Sequence, residues 1–501
     1  MRARARVAWW LPCLLVGLTT GCAIGPNFVR PGAPTVSGYE TERVDLPAPG
    51  GDDAAQRLVA GIARDWWTLL QSPELNDTIT QAIAGSPTLV TARAALAQAN
   101  EVVTAARGAY YPQLDAALTG SRQYTRSLGS TSSRSSAGAG GNSQTSSSQA
   151  INMFSFGPVL SYTPDLFGHN RRLVEQDRAL AENQLHQLAG AYVTLTASVA
   201  TQAVTIASTL AQIKAAEDVI AADEHNLELV RIAYEAGSVA RTDVLSAESQ
   251  LSGDRTLLPP LRQQLSVARH ALSVLVGRAP GEWTPPDFHL DKLTLPTDLP
   301  VIVPSELVRE RPDILAAEAQ LHATSAAIGV ATADLYPSLT LSASWAIQTV
   351  AVSGPFMVPS ILSNIAGALT APLFHGGTLQ AQKRGAIDAY EAQVGTYRQT
   401  VLQAFGQVAD VLRALEHDAE LLGAENAAVT TSEASLKLAQ EAYAAGRGSL
   451  LQVLDAQRLY EQALLGYARA KGQRYLDTIL LFEAMGGAWR DWVASVQRAT
   501  D

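Results

Sequence analysis

An apolar residue at every seventh position, over a long stretch of the first half, is the feature that most constrains this chain. The series is Leu185, Tyr192, Val199, Ile206, Ile213, Ile220, Leu227 and Tyr234. A strict seven-residue period keeps one seam facing a partner only if the helix is slightly under-wound in a left-handed supercoil. At about 1.5 Å per residue, a helix from His169 to Ala236 would be about 100 Å long. This is far longer than the helices of ordinary globular domains.

The second half predicts a matching helix with two apolar seams. One seam follows a 3-4 spacing through Ile387, Tyr390, Val394, Tyr397, Val401, Ala404, Val408, Val411 and Leu415, and a second row contains Leu402, Phe405, Ala409 and Leu412. Two seams indicate a helix with neighbours on both sides, as in a barrel of helices. An ordinary soluble coiled coil is the alternative, and the strands described below argue against it.

The chain contains two copies of one unit. The stretch from Ser86 aligns without gaps with the stretch from Arg311, and the stretch from Leu227 aligns with that from Leu436. Each copy has the order helix, Tyr-Pro stop, strands, Leu-Phe turn, very long helix, glycine turn, helix. We therefore expect a first structural repeat over 72–290, a linker over 291–303 and a second repeat over 304–488.

Four strands of alternating polarity are predicted. After Pro337, apolar residues alternate with Ser and Thr, and weaker alternation occupies Gln113–Thr125, the segment around Phe154–Tyr162, and Ile361–Leu369. Strands of about ten residues with one apolar face are typical of outer-membrane β-barrels. A Ser/Gly-rich segment over 127–149 is typical of an exposed barrel loop. Four strands cannot close a barrel, and open edges in lipid leave backbone groups unpaired, so the barrel must be shared between chains.

The N-terminus predicts a secreted lipoprotein. Three arginines precede a short apolar run, and small residues then lead to Gly21 and Cys22. This pattern is typical of a secretory signal over 1–21, and the Cys directly after it resembles the acylation site of a bacterial lipoprotein, although Thr19 departs from the usual Leu. Ordinary signal cleavage with an incidental Cys is the alternative. No later segment contains 18 consecutive apolar residues, so we expect no transmembrane helix in the mature chain.

Composition excludes several other classes. The formal net charge is −10, which disfavours a nucleic-acid partner. Only two Cys are present, so neither disulfides nor a Cys-based metal site hold the fold together. The eight His are dispersed, and the sequence has no metalloprotease, nucleophile-elbow or P-loop motif. We therefore expect no enzyme activity and no metal.

Several motifs together resemble one family. They are GCAIGPNFVRP, LPPLRQQLSVARHALSVLVGRAPGEW, LPVIVPSELVRERPDILAAEAQLHA, ATADLYPSLTLSAS and LDAQRLY. On these motifs the chain resembles the TolC-like outer-membrane factors, in particular the NodT-type lipoprotein subunits of RND (resistance-nodulation-division) efflux systems. Two departures are Pro164 before DLFG, which we expect only to sharpen the strand exit, and Pro259-Pro260, which we expect to kink or break a helix.

The resemblance implies a mainly α chain with a small β part that forms a homotrimeric channel. Three chains would share a twelve-stranded outer-membrane β-barrel and a long α-helical periplasmic barrel. Residues 22–71 would be a lipid-anchored segment that wraps the equator, and 489–501 a C-terminal tail. The implied partners are outer-membrane lipid, a periplasmic adaptor (a membrane fusion protein) and an inner-membrane RND transporter. No cofactor is implied except the covalent lipid on Cys22, a diacylglycerol and an N-acyl chain. Ala23 after that Cys resembles the signal for sorting to the outer membrane.

The glycine turns at Gly237 and Gly446 end the long helices farthest from the strands, so we expect them to form the periplasmic tip and to carry a gate. By resemblance, Asp243 would bond Tyr443 and Arg447 and hold helix pairs together. By the same resemblance, the aperture would be lined by Leu451, Gln452, Asp455 and Arg458, with Asp455 as a ring of three carboxylates. The alternative is that these are solvated helix-end charges.

The expected function is passive conduction of drugs or other toxic small molecules from pump and adaptor to the outside. The exit duct of a type I protein secretion or heavy-metal export system is the alternative, because the inner-membrane partner decides the cargo while the fold stays the same.

Overall fold

The computed structural model of the chain describes residues 23–32, 34, 38–39, 57–59, 65–127, 147–352 and 358–500. The predicted signal peptide, Cys22 and most of the Ser/Gly-rich segment lie outside these residues.

Helices make up most of the described chain, and strands form two small sheets. The α-helices are α1 (Pro73–Gly85), α2 (Pro87–Gly108), α3 (His169–Glu235), α4 (Arg241–Arg255), α5 (Leu258–Val276), α6 (Pro304–Glu310), α7 (Pro312–Ala333), α8 (Thr378–Ala444), α9 (Leu450–Ala484) and α10 (Arg490–Thr500). The strands are β1 (Arg57–Val59), β2 (Gln113–Ser127), β3 (Ser147–Tyr162), β4 (Asp298–Pro300), β5 (Ser338–Val352) and β6 (Val358–Thr370). This confirms the prediction of a mainly α chain with a small β part.

The two very long helices are present. α3 and α8 each contain 67 residues, which corresponds to about 100 Å of helix. In α3 the seven-residue series is buried from Tyr192 to Leu227, and it becomes exposed at Tyr234 beside the turn. In α8 the first seam is buried around Val401 and Val408, whereas Leu402 of the second row is 65% exposed in the single chain. The heptad pattern therefore predicted both the length of these helices and their inner faces.

The apolarity of α3 is explained by packing. The helix contains a window of mean hydropathy 1.3, long and apolar enough by composition to cross a membrane. However, 67% of that window is buried inside the protein. A mostly buried apolar helix is a core helix, so this finding does not indicate a transmembrane span.

Four strands form one antiparallel sheet in the order β2-β3-β5-β6. β2 and β3 pair in continuous register from Gln113 opposite Ser161 to Ser127 opposite Ser147. The ladder between β3 and β5 is interrupted at Gly157. A Cβ at Gly157 would lie 1.9 Å from a backbone oxygen of β5, so only glycine fits this close approach.

One face of this sheet carries exposed apolar side chains. Leu118, Phe156, Ile347 and Ile361 are successive cross-strand partners and therefore share a face. They are 76%, 57%, 47% and 70% exposed. A row of large apolar side chains across a whole sheet marks a surface that meets lipid or another protein rather than water.

β1 and β4 form a separate two-stranded parallel sheet. β4 lies in the segment expected to be a linker, and α10 lies in the segment expected to be a tail. Trp492 of α10 stacks on Tyr192 of α3, with ring centroids 4.2 Å apart. The sequence reading did not identify this helix or its packing role.

The double proline separates two helices. α4 ends at Arg255 and α5 begins at Leu258, so Pro259 and Pro260 lie in the first turn of α5. Proline is tolerated there, because the first helical N–H groups have no partner within the helix. The prolines therefore interrupt the helical hydrogen bonding, while Thr256 and Leu257 between the two helices keep right-handed helical backbone angles.

The chain divides into two compact units, each of which draws on both sequence repeats. The first comprises the described residues within 1–29, 99–180 and 321–392 and contains the four-stranded sheet. The second comprises those within 30–98, 181–320 and 393–501 and contains both glycine turns. In the second unit, Trp66 is 1% exposed and stacks on Phe482 with centroids 5.0 Å apart.

Candidate functional site

The first glycine turn ends α3 in a hydrogen-bonding pattern that requires a left-handed residue. The Gly237 N–H donates to the Tyr234 carbonyl at 2.9 Å, and the Ser238 N–H donates to the Ala233 carbonyl at 2.9 Å. This pair of bonds is the Schellman motif. Gly237 has φ +69°, and a Cβ added there would meet nothing within 4 Å. Glycine is therefore needed for backbone conformation and not for space.

The second turn repeats this geometry at the end of α8. The Gly446 N–H donates to the Tyr443 carbonyl at 2.9 Å, and the Arg447 N–H donates to the Ala442 carbonyl at 2.8 Å. Gly446 also has φ +69° and free space around an added Cβ. The two sequence copies thus end their long helices with the same turn.

Asp243 and Gln452 occupy equivalent positions in the two copies and both cap the helix that follows the turn. The Asp243 carboxylate accepts from the Ala240 N–H at 3.0 Å. The Gln452 side chain accepts from the Ser449 N–H at 3.0 Å, and the Ser449 hydroxyl accepts from the Gln452 N–H at 3.4 Å. The Ser-x-x-Gln spacing was the signal that could have found this second cap. The sequence reading assigned both residues to a gate and missed this role.

The predicted bonds of Asp243 are not made within one chain. Among the residues that the structure describes, Asp243 forms neither a hydrogen bond nor an ion pair with Tyr443 or Arg447. A lock of the predicted kind would have to join neighbouring chains, and it stays a prediction.

Apolar contacts hold the two turns of one chain together. Val230, Leu450 and Leu454 form a buried cluster. Tyr443 and Val244 pack against this cluster from the two sides of the tip. The aromatic ring of Tyr443 therefore stabilises the tip whether or not its hydroxyl bonds another chain.

The predicted aperture residues lie together on the first turns of α9 and face outward. Leu451 is 70% exposed, although large aliphatic side chains are usually buried. Arg458 donates to Asp455 at 2.7 Å, and their side chains are 46% and 60% exposed. A pair this exposed contributes about 0–1 kcal/mol to stability. These three side chains are thus available for contacts outside the single chain.

Near the predicted lipid site, a buried arginine holds the N-terminal segment. Cys22 lies outside the described residues. Arg172 is 3% exposed and donates to the carbonyls of Ile24 and Gly25, both at 3.2 Å, and to the Asn27 side chain at 2.9 Å. Gly25 lies close to Gly329 of α7, and a Cβ added to Gly25 would be 2.6 Å from the Cα of Gly329. The first described residues are thus fixed against α3 and α7.

A buried titratable group lies in the seam of α8. Asp418 follows Leu415 and precedes Leu422 at seam spacing, and it is only 9% exposed. Burial, together with the neighbouring Asp477 and against the opposing effect of Arg474, raises the pKa of Asp418 to about 8. An acidic residue at a seam position was the signal that the sequence reading overlooked.

The chain matches the family described as "Outer membrane efflux protein" over residues 78–278 and 303–487. Among curated relatives, the pyoverdine export outer membrane protein OpmQ of Pseudomonas aeruginosa is 30% identical over 437 residues, which cover 87% of this chain and 90% of OpmQ. Outer membrane protein OprJ of the same organism is 28% identical over 486 residues, which cover 96% of each chain.

Solved structures agree with these relatives. The outer-membrane channel OprN superposes with a TM-score of 0.80 at 25% identity, covering 93% of this chain and 100% of OprN. The matched fold is that of a channel and not of an enzyme.

Proposed function

Because this chain belongs to the outer membrane efflux protein family, we propose that three copies of it form the exit duct of a tripartite efflux pump. Membership makes the chain an outer-membrane channel component of an efflux system that extends into the periplasm. The proposal adds the number of chains, the lipid anchor, the pump partners and the gate.

The observation that carries the proposal is the four-stranded sheet with two free edges and an exposed apolar face. Within the described residues, β2 pairs only with β3, and β6 pairs only with β5. Unpaired edges in a membrane are costly, because lipid offers no hydrogen-bonding partner. Joining β2 of one chain to β6 of the next would satisfy both edges, and three chains would give twelve strands, a size that membrane barrels adopt.

The membrane anchor is the second element of the proposal. Cys22 carries a diacylglycerol and an N-acyl chain, and the segment after it is fixed by Arg172. Such an anchor would hold each chain at the membrane surface, because two or more acyl chains give stable membrane attachment.

A periplasmic adaptor and an inner-membrane RND transporter are the proposed partners. The duct itself is passive and conducts small toxic molecules that the transporter delivers. The names of two relatives specify small-molecule cargo, pyoverdine export for OpmQ and toluene efflux for TtgF.

Closure at rest is assigned to the tip. Asp243 of one chain bonds Tyr443 and Arg447 of a neighbouring chain, while Asp455 and Arg458 line the aperture together with Leu451 and Gln452. The four aperture side chains and Arg447 are exposed in one chain, which supports this assignment, whereas Asp243 and Tyr443 are half-buried. Three weak locks suit a switch, because an adaptor could shift their equilibrium with modest binding energy.

Native mass spectrometry of the detergent-purified protein tests the assembly. We expect three chains, each with acyl groups on Cys22 and no residues before it. The Cys22→Ala variant should lose the acyl groups and remain trimeric. A stable, membrane-inserted monomer would contradict the shared barrel, whereas an unmodified Cys22 would contradict only the anchor.

Planar-bilayer conductance tests the gate. The variant Asp243→Asn with Tyr443→Phe should conduct several times more than the wild type. Asn is chosen because its side-chain oxygen can still accept from the Ala240 N–H, so the helix cap is retained. The control is Ser449→Ala, which weakens the cap of α9 by about 1 kcal/mol and leaves the lock intact.

If the double variant conducts like the wild type, the lock assignment is wrong. If Ser449→Ala opens the channel as much as the double variant does, tip stability and not the lock controls closure. Asp455→Asn should instead weaken block by multivalent cations, since it removes the ring of carboxylates.

A further inference from the structure

Three helices each place a carboxylic acid in an apolar seam within the second unit. On α3, Asp223 lies between Ile220 and Leu227, which are both buried. On α4, Asp254 follows the buried Leu251 at the same spacing. Seam positions normally hold apolar residues, so an acid there needs a compensating partner.

The third acid comes from α9. Glu461 lies one turn after Gln457, and both are buried, at 4% and 3% exposure. Asp223 and Asp254 are 2% and 9% exposed. One carboxylate oxygen from each of the three acids lies within 4.8 Å of the other two. In the part of the chain that the structure describes, no Lys, Arg or His forms an ion pair with any of them.

The neighbouring amides orient these acids without neutralising them. Gln457 donates to one oxygen of Asp223, and its own carbonyl accepts from Asn226. Gln250 donates to Asp254 at 2.9 Å and to Glu461 at 3.5 Å. These are neutral donors, so three potential negative charges face one another in a buried layer.

Two buried oxygens of this cluster have no hydrogen-bond partner. They are Asp223 Oδ2 and Glu461 Oε1, each hidden from solvent. A buried, unpartnered carboxylate oxygen is costly, and native proteins rarely tolerate one without a ligand. Burial raises the pKa of Asp223 to about 8 and that of Glu461 to about 7, which reflects the same cost of holding bare anions.

We propose that Asp223, Asp254 and Glu461 bind a hard divalent cation, Ca²⁺ by size, one per chain. Calcium prefers oxygen ligands at about 2.3–2.6 Å, so ligand oxygens up to about 4.8 Å apart fit its coordination sphere. Gln457 and Gln250 hold the carboxylates as positioning residues. A cleft of about 620 Å³, lined in part by Asp254 and Glu461, gives an ion a route from the surface of the single chain.

A cation here would join α3, α4 and α9 above the glycine turns. Asp223 precedes Gly237 by about 20 Å of helix, at about 1.5 Å per residue. The site is therefore separate from the turn caps and shares no ligand with the proposed gate, while Arg458, the partner of Asp455, lines the same cleft as Asp254 and Glu461.

Equilibrium dialysis of the EDTA-stripped, detergent-purified full chain against Ca²⁺ tests the site. All samples carry Asp455→Asn, so that ions at the proposed aperture ring are not counted. At about 0.1 mM free Ca²⁺, a concentration that carboxylate sites respond to, the reference protein should hold about one ion per chain. The variants Asp254→Asn and Glu461→Gln should lose that ion.

Glu248→Gln is the matched control, because Glu248 is an exposed carboxylate on α4 that pairs with Arg231. It should retain the ion. Gln457→Leu leaves the three ligands in place and should weaken binding by about 10- to 100-fold, as loss of an outer partner does at metal sites. Ca²⁺ should also raise the melting temperature of the reference protein and of Glu248→Gln, but not that of Asp254→Asn.

Equal Ca²⁺ binding by the reference protein and by both ligand variants would overturn the proposal. A reference protein that binds no Ca²⁺ would also overturn it.

Discussion

Replacing each tip glycine by alanine measures how strongly the turns hold the ends of the long helices. Gly237 and Gly446 both have φ +69°, and neither has an atom within 4 Å of an added Cβ. Gly237→Ala and Gly446→Ala therefore change the backbone energy and add no clash. The magnitude can be calculated from the conformational cost alone.

An L-residue in the left-handed region costs about 1–2 kcal/mol. Alanine also restricts the unfolded chain, which stabilises the folded state by about 0.4–1 kcal/mol. The net destabilisation of the turn is thus about 1 kcal/mol, which corresponds to about fivefold more frequent local opening. Asparagine tolerates this conformation better, so Gly237→Asn should open the turn less often than Gly237→Ala.

Amide hydrogen exchange, read by mass spectrometry on peptides that cover each turn, is the assay. The Ser238 and Arg447 amides close the two Schellman motifs and should exchange about fivefold faster in the variant of their own turn. Each single variant should leave the other turn unchanged.

Gly253→Ala supplies a control of opposite sign. Gly253 lies inside α4 without a positive φ, and an added Cβ there meets nothing. This substitution should slow exchange in α4, since alanine favours a helix over glycine by about 1 kcal/mol. Unchanged exchange in both tip variants, with the expected slowing in Gly253→Ala, would refute the argument that these turns need a left-handed residue.

Three further predictions follow from buried positions. Asp418 has a raised pKa, so its contribution to stability is fully present below the unfolded pKa near 4 and is lost as pH rises through about 8. At pH 9, Asp418→Asn should therefore have a higher melting temperature than the wild type. At pH 4 the two melting temperatures should not differ in this way. Gly157→Val should abolish trimer assembly in native mass spectrometry, because its side chain would collide with the Trp345 backbone. Gly329→Leu should displace Arg172, which an added Cβ would approach to 2.7 Å, and protease should then cleave the N-terminal segment faster than in the wild type.

The sequence predicted the periodic elements well, because their patterns are local. The heptad series gave both 67-residue helices, and the alternation after Pro337 gave β5 with its exposed apolar face. The helix at Arg490–Thr500 was not foreseen, since its partner Tyr192 is about 300 residues away in the chain and no local pattern reports such a contact.

The candidate site was only partly predictable. The glycine turns end both long helices as predicted, and the aperture role of the residues after them stays a prediction, yet the capping roles of Asp243 and Gln452 were missed. The family resemblance assigned these two residues to contacts between chains or to the aperture. A helix cap instead depends on a hydrogen bond to a residue three positions away in the same chain. The acids at seam positions, Asp223 and Asp418, were overlooked because the seven-residue series was followed along only one row of the seam.

The free edges of β2 and β6 have a consequence for inheritance. In a ring closed by three identical chains, every strand edge must pair with an intact edge of a neighbouring chain. One damaged chain therefore prevents a ring with two intact chains from closing. If intact and damaged chains are made in equal amounts and mix at random, about one ring in eight contains only intact chains. A substitution that lets the chain associate but prevents the sheet from closing would thus behave as a dominant allele, whereas a substitution that prevents association altogether would be recessive.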